Sequence, residues 1–174
     1  PGIMTPATSN AALPLLSILI FAPLVAAAVA GMLRSERALR CWTLLGTLAI
    51  AVASVPLYTR FNLSTAAFQF VERRQWIPAL KIEYFLGIDG ISLLLVLLTT
   101  FVMPICVLAS WRYITTRVKE FMICLLIMEA AMIGVFCALD GILFFVFWES
   151  MLVPMSVLIG VWGGPRKIYA AIKF

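Results

Sequence analysis

Glu149 is the only charged residue in GILFFVFWESMLVPMSVLIGVW, the 22 residues 141–162. At about 1.5 Å per residue, a helix of that length matches the roughly 30 Å hydrocarbon core of a bilayer. A carboxyl at such depth costs roughly 2.5–3.5 kcal/mol on insertion scales, and packing does not demand one. Two chemistries account for it: a carrier on an ion or proton pathway, or a protonated Glu that only bonds a neighbouring helix. Glu129 poses the same choice in the apolar run 121–139, where it too is the only charge. The other acids have ordinary places. Glu36, Glu72, Glu83 and Glu120 read as solvated charges in loops or at helix ends, and Asp89 and Asp140 stand just before apolar runs as helix caps.

Spacing sets the depths. Glu149 is nine residues past Asp140, roughly 13 Å from one end of its helix, and Glu129 is ten past Lys119, roughly 15 Å from the opposite end. The two runs are joined by a short turn and should be antiparallel neighbours, so the carboxyls differ by about 6 Å in depth. Two such groups repel when both are charged, which makes one of them able to hold a proton near neutral pH. Lys173 is the third candidate, eight residues past Pro165 and about 12 Å into a sixth helix that begins near 165. Its ammonium either snorkels back to the surface or faces a buried Glu as a charge partner or relay. A proton moved onto or off one member of a Glu–Lys pair changes the proton affinity of the other, the elementary step of an electrostatic pump. The depth offset of about 9 Å between Glu149 and Lys173 requires a bridging water or a third residue.

The elements that must position these groups are membrane helices. Of 174 residues, 64% are hydrophobic and only 12% charged, and the mean hydropathy is +1.09; soluble domains carry about 25% charged residues. The net charge of +5 is dispersed in short clusters between apolar runs, not gathered on the basic face that a nucleic-acid binder needs. The expected class is all-α: one polytopic membrane domain over 1–174, with spans at 13–33, 41–59, 90–111, 121–139 and 141–162 and the start of a sixth helix at 165–174. The chain opens on Pro1, which suggests Met4 as an original start, and it stops shortly after the sixth helix begins; it reads as an N-terminal piece of something longer. Residues 1–12 hold no Lys or Arg, so the first run is a retained helix and not a signal peptide. Pro23, Pro56, Pro104 and Pro154 lie inside four runs, each freeing a carbonyl one turn back. Beside Glu149 and Ser150, Pro154 is read either as a plain kink or as a hydrated local break. With no histidine and four dispersed cysteines, no haem, iron–sulfur or metal ligand set is expected in this chain.

Orientation follows from Lys and Arg in short loops. Arg34, Arg37 and Arg40 follow the first run, Arg112, Arg117 and Lys119 the third, and Arg166 and Lys167 the fifth, whereas the fourth loop has only Asp140. Odd loops then face the cytoplasm or matrix and the N-terminus faces the other side. The second loop, 60–89, is longer and mixed in sign, with Arg60, Arg73, Arg74 and Lys81 against Glu72, Glu83 and Asp89.

The segments FVFWESMLVPMSVLIGVWGGPRKIYAAIKF (145–174), YFLGIDGISLLLVLLTT (84–100) and LIMEAAMIGVFCALD (126–140) resemble the antiporter-like subunit M (chain 4) family of proton-translocating NADH:quinone oxidoreductase, respiratory complex I. The resemblance implies a fourteen-helix subunit built from two inverted five-helix repeats. In such a subunit Glu149 of the Trp148-Glu149 pair supplies the essential carboxylate, and Lys173 matches a lysine of the sixth helix. The usual partner lysine, in the seventh helix of the family, falls beyond this chain. The resemblance also implies other membrane-arm subunits and the lipid bilayer as partners, no nucleic acid, and a place in a bacterial cytoplasmic or mitochondrial inner membrane. NADH, FMN, iron–sulfur clusters and quinone would belong to the wider complex, with no cofactor in this chain. Two other readings stay open: an Mrp-type Na⁺/H⁺ antiporter subunit and a purely structural membrane subunit.

Overall fold

Apolar runs with few polar interruptions can satisfy their backbone in a membrane only as helices, and a computed structural model of the chain shows five of them long enough to span. It describes residues 14–80 and 82–174. The expected outside placement of 1–12, the proposed start at Met4, the beginning of the first run at Leu13 and the loop charge Lys81 lie outside the described residues. The spans are α1 (Leu15–Met32), α2 (Glu36–Thr59), α3 (Gly90–Tyr113), α4 (Val118–Cys137) and α5 (Gly141–Trp162). A short α6 (Lys167–Lys173) follows. α2 starts five residues earlier than the hydropathy suggests, because a basic first turn at the membrane surface still has helical propensity. α6 starts two residues after Pro165, which sits in the preceding turn and not at the first helical position.

Caps end the helices where expected. The Asp89 carboxylate accepts from the Ser92 amide at 2.7 Å, which holds its pKa below the ordinary value. The Asp140 carboxylate accepts from the amides of Ile142 and Leu143 at 2.9 and 3.0 Å. All four internal prolines sit in helices that continue past them. Pro154 leaves α5 helical from Gly141 to Trp162, while the Ser150 carbonyl one turn back lacks its helical N–H donor.

Loop two contains more than a loop. Strands β1 (Gln69–Ile77) and β2 (Ile82–Ile88) form an antiparallel hairpin joined through a short 3₁₀ turn, Pro78–Leu80. The register pairs Glu72 with Leu86, Arg73 with Phe85 and Arg74 with Tyr84. A bulge separates Gln69 from Glu72, with Phe70 in the left-handed region at φ 53°, and bulges of this kind re-aim the side chains that follow. Arg73 pairs with Glu83 at 2.6 Å and lies over the Phe85 ring, so Glu83 is an ion-pair partner. Glu72 is not the solvated loop charge expected from the sequence. Its carboxylate accepts from the Leu16 amide at 2.9 Å, from the Ser17 amide at 3.3 Å and from the Ser17 hydroxyl. α1 has no side-chain cap of its own at Pro14, and Glu72 occupies that position from 56 residues away, where a carboxylate meets the unsatisfied N–H groups and the positive end of the helix dipole. The Ser17 and Tyr84 hydroxyls are also bonded, at 2.8 Å, and burial raises the Tyr84 phenol pKa.

β2 reaches the α4–α5 turn as well. Leu86 bridges Ala138, and the Leu139 amide donates to the Phe85 carbonyl at 2.9 Å. One end of the bundle thus gathers the start of α1, the hairpin and the α4–α5 turn. At the other end Arg40 donates to the Ile114 carbonyl at 2.8 Å and the Trp162 indole to the Thr116 carbonyl at 2.9 Å, which ties the short basic loops together. The core between is in two parts. Leu16, Leu19, Ile20, Ile50, Val96 and Ile133 belong to the half near the hairpin; Ala26, Ala30, Leu39, Met103, Met122 and Leu126 belong to the half near the basic loops.

Candidate functional site

α5 presents two different faces. Leu143 and Pro154 are buried, and Phe147 packs so tightly on α4 that a Cβ added at Gly134 would sit 2.4 Å from its ring. Gly134 is therefore the notch that lets α4 and α5 approach. Glu149 is two residues past Phe147, about 200° further round the helix, and it is exposed together with Trp148 and Ser150. The carboxylate projects from the face of α5 turned away from α4. Its neighbour Ser150 donates back to the Val146 carbonyl at 2.7 Å, a local bond that leaves the Glu149 oxygens uninvolved.

Glu129 has the opposite setting. It is 0% exposed on α4, between Leu126 and Ile133, and neither carboxyl oxygen has a hydrogen-bond partner among the described residues. The sequence places Glu129 and Glu149 on neighbouring helices, and α4 and α5 do pack together, but the two side chains occupy opposite sides of that contact. The direct coupling expected from their similar depths is not part of this geometry. One-dimensional spacing fixed depth and left azimuth open; the Gly134–Phe147 contact decides azimuth.

Lys173 ends α6, exposed, with its ammonium donating to the Tyr169 hydroxyl at 3.1 Å and lying over that ring. α6 folds back on α5, with Gly160 and Ala171 close enough for a Cβ on the glycine to meet Ala171 at 3.4 Å. Lys167 spends its ammonium on the Val161 carbonyl at 2.7 Å. Among the described residues no two of Glu129, Glu149 and Lys173 form a hydrogen bond or ion pair. The cysteines are all free, Cys41 on α2, Cys106 on α3, and Cys124 and Cys137 on α4.

The spacing of the chain marks Glu72 only as a solvated loop charge and gives no role to the buried hydroxyls Thr43, Thr47, Ser54, Thr99, Thr100 and Ser110. The period-2 alternation Ile82, Tyr84, Leu86, Ile88 was the available signal for the hairpin that carries Glu72. The hydroxyls carry no such signal, since Ser and Thr are common in membrane helices.

Fold and site together define a multi-pass helical membrane protein with one carboxyl sealed in its bundle and one on an open helix face. The sequence model of a family described as NADH-ubiquinone oxidoreductase chain 4, amino terminus, matches residues 32–135, and the chain belongs to that family. It is 46% identical over 166 residues to NADH-quinone oxidoreductase subunit M of Rhodobacter capsulatus, covering 92% of this chain and 32% of that protein. It is 50% identical over 139 residues to NADH-ubiquinone oxidoreductase chain 4 of Arabidopsis thaliana, covering 79% and 28%. The chain thus spans about a third of the length of these relatives. The fold is similar to a chain of respiratory complex I from Thermus thermophilus, with a TM-score of 0.74 and 22% identity over 90% of this chain and 31% of that one. It is also similar to a chain of an archaeal membrane-bound sulfane sulfur reductase, with a TM-score of 0.71 and 22% identity.

Proposed function

We propose that this chain is part of a proton-translocating, non-redox subunit in the membrane arm of NADH:quinone oxidoreductase, with Glu149 as its proton carrier. The observation that carries the proposal is the setting of Glu149: a lone carboxyl mid-way along a spanning helix, on the face of α5 that the chain's own bundle leaves open. In this reading Lys173 is a charge partner or relay reached through water or a further residue, and Glu129 is a secondary acid inside the α1–α4 bundle. Electron transfer through NADH, FMN, iron–sulfur clusters and quinone belongs to other subunits, and the basic loops face the cytoplasm or matrix, with the N-terminus on the opposite side. An Mrp-type antiporter would use the same carboxyl without a redox partner, and co-purification with flavin and iron–sulfur subunits separates the two.

The test is Glu149→Ala in the complete subunit within its complex. Proton pumping and coupled quinone reduction should be lost or strongly reduced while the complex assembles, because the substitution removes the proton-binding group and relieves an insertion cost of roughly 2.5–3.5 kcal/mol. Glu149→Asp, which keeps a carboxyl one methylene shorter, should retain part of the activity. Assembled Glu149→Ala complexes that pump at normal stoichiometry would overturn the proposal.

A further inference from the structure

α5 is fastened at both ends and steadied between them by one stripe of side chains. At its start the Asp140 carboxylate holds the amides of Ile142 and Leu143, and the Leu139 amide donates to the Phe85 carbonyl of β2 at 2.9 Å. At its end the Trp162 indole donates to the Thr116 carbonyl at 2.9 Å, and its ring meets Phe121 edge-on with centroids 5.2 Å apart. Between these ends Leu143, Phe147, Pro154 and Leu158 follow one another at four, seven and four residues, the spacing of a single helix face. Leu143 and Pro154 are buried, and Phe147 and Leu158 pack against the two halves of the core.

The contact at Phe147 is the tightest point of that stripe. A Cβ built on Gly134 would lie within 3.0 Å of three atoms along one edge of the Phe147 ring, Cγ, Cδ1 and Cε1. A flip of the planar ring only brings its other edge to the same place. Carbon atoms in ordinary contact stand about 3.5–4.0 Å apart, so a methyl at this position would push α5 back by about 1 Å. Ala is the better helix former, and α4 uses it at Ala130 and Ala131; the ring is what requires glycine at 134. With both ends of α5 fastened, a push at Phe147 bows the helix outward. Pro154 makes the bow easier, because the Ser150 carbonyl has no N–H from residue 154 to hold it. Glu149 stands two residues past Phe147, about 200° round the helix. Displacement along the line from α4 to α5 therefore carries the carboxyl outward by nearly the same amount.

We propose that Gly134 and Phe147 are positioning residues for Glu149: the close approach they permit sets how far its carboxyl projects from the open face of α5. The inference rests on Glu149 as proton carrier. Both residues are apolar and exchange no proton themselves; they act through the place of the helix. A proton passes only between partners at hydrogen-bond distance, about 2.5–3.0 Å for two oxygens. Misplacement of a reacting group by about 1 Å can cost on the order of a hundredfold in rate.

The experiment compares the complete complex carrying Gly134→Ala with wild type. Cryo-electron microscopy should show the Glu149 Cα displaced from α4 by about 1 Å. In reconstituted vesicles, pumping per assembled complex should fall about ten- to a hundredfold. The pH of half-maximal pumping should also move, which a lower yield of assembled complex would not produce. Phe147→Leu added to Gly134→Ala should restore most of the position, the rate and the pH dependence. Glu149 in its wild-type place in Gly134→Ala overturns the proposal, and so does a displaced Glu149 with wild-type pumping and pH dependence. If Gly134→Ala does not assemble, Phe147→Ala, which adds no atom, decides in its place: wild-type pumping and pH dependence overturn the proposal, and a lower rate with a moved pH dependence supports it. Normal pumping in Glu149→Ala is the failure of the carrier reading, whereas normal pumping in Gly134→Ala beside an inactive Glu149→Ala is the failure of this proposal alone.

Discussion

The clasp between Glu72 and the start of α1 makes a prediction whose size can be worked from its geometry. Glu72→Ala removes the acceptor of the Leu16 and Ser17 amides and of the Ser17 hydroxyl. Leu16 is 0% exposed, so its amide cannot turn to water and is left unsatisfied at about 1–3 kcal/mol. Loss of a helix cap by itself costs about 1 kcal/mol in most hosts, and the missing carboxylate also forfeits a dipole interaction of about 0.3–1 kcal/mol. These contributions overlap, and the expected destabilisation is about 2 kcal/mol. Glu72→Gln keeps an acceptor oxygen and gives up the charge, so it should cost less than half as much. Hydrogen exchange of the subunit in lipid nanodiscs reads the effect locally: the first turn of α1 should exchange about thirtyfold faster in Glu72→Ala, the rate equivalent of 2 kcal/mol. The hairpin should lose protection in parallel, because its hold on α1 passes through this carboxylate and the Ser17–Tyr84 bond. Exchange at Leu16 and Ser17 within twofold of wild type in Glu72→Ala would refute the capping argument.

Glu129→Gln keeps the shape of the side chain and removes its ability to change charge, so proton translocation in reconstituted vesicles should fall partially; unchanged pumping would make Glu129 a structural hydrogen-bonder. A single cysteine at Ser35, in the short basic α1–α2 connection of a full-length protein without native cysteines, should react with an impermeant reagent only from the cytoplasmic or matrix side, and labelling from the other side would invert the topology. Gly134→Ala should destabilise the α4–α5 contact by about 1–3 kcal/mol, the usual cost of overpacking, because the new methyl would lie 2.4 Å from the Phe147 ring. Phe147→Leu should recover much of that loss in the double variant, measured as detergent unfolding midpoints; additive losses would mean that the two residues do not share the contact.

The unbroken apolar runs determine the helices by themselves, since a backbone in hydrocarbon has few other ways to satisfy its N–H and C=O groups. Asp89 and Asp140 mark two helix starts with equal clarity, and Glu149 and Glu129 stand out because charge is rare at that depth. Tertiary structure decided the rest. The hairpin was obscured because its mixed charges look like a solvated loop, and its register depends on the α4–α5 turn and on α1, neither of which is local to it. The role of Glu72 depends on an amide 56 residues away, a distance that no spacing rule covers. The separation of Glu129 from Glu149 turns on the azimuth of two packed helices, and the Phe147 ring seated at Gly134 sets that angle. Depth is a property of one helix and can be counted along a chain; azimuth is a property of a pair and exists only once they pack.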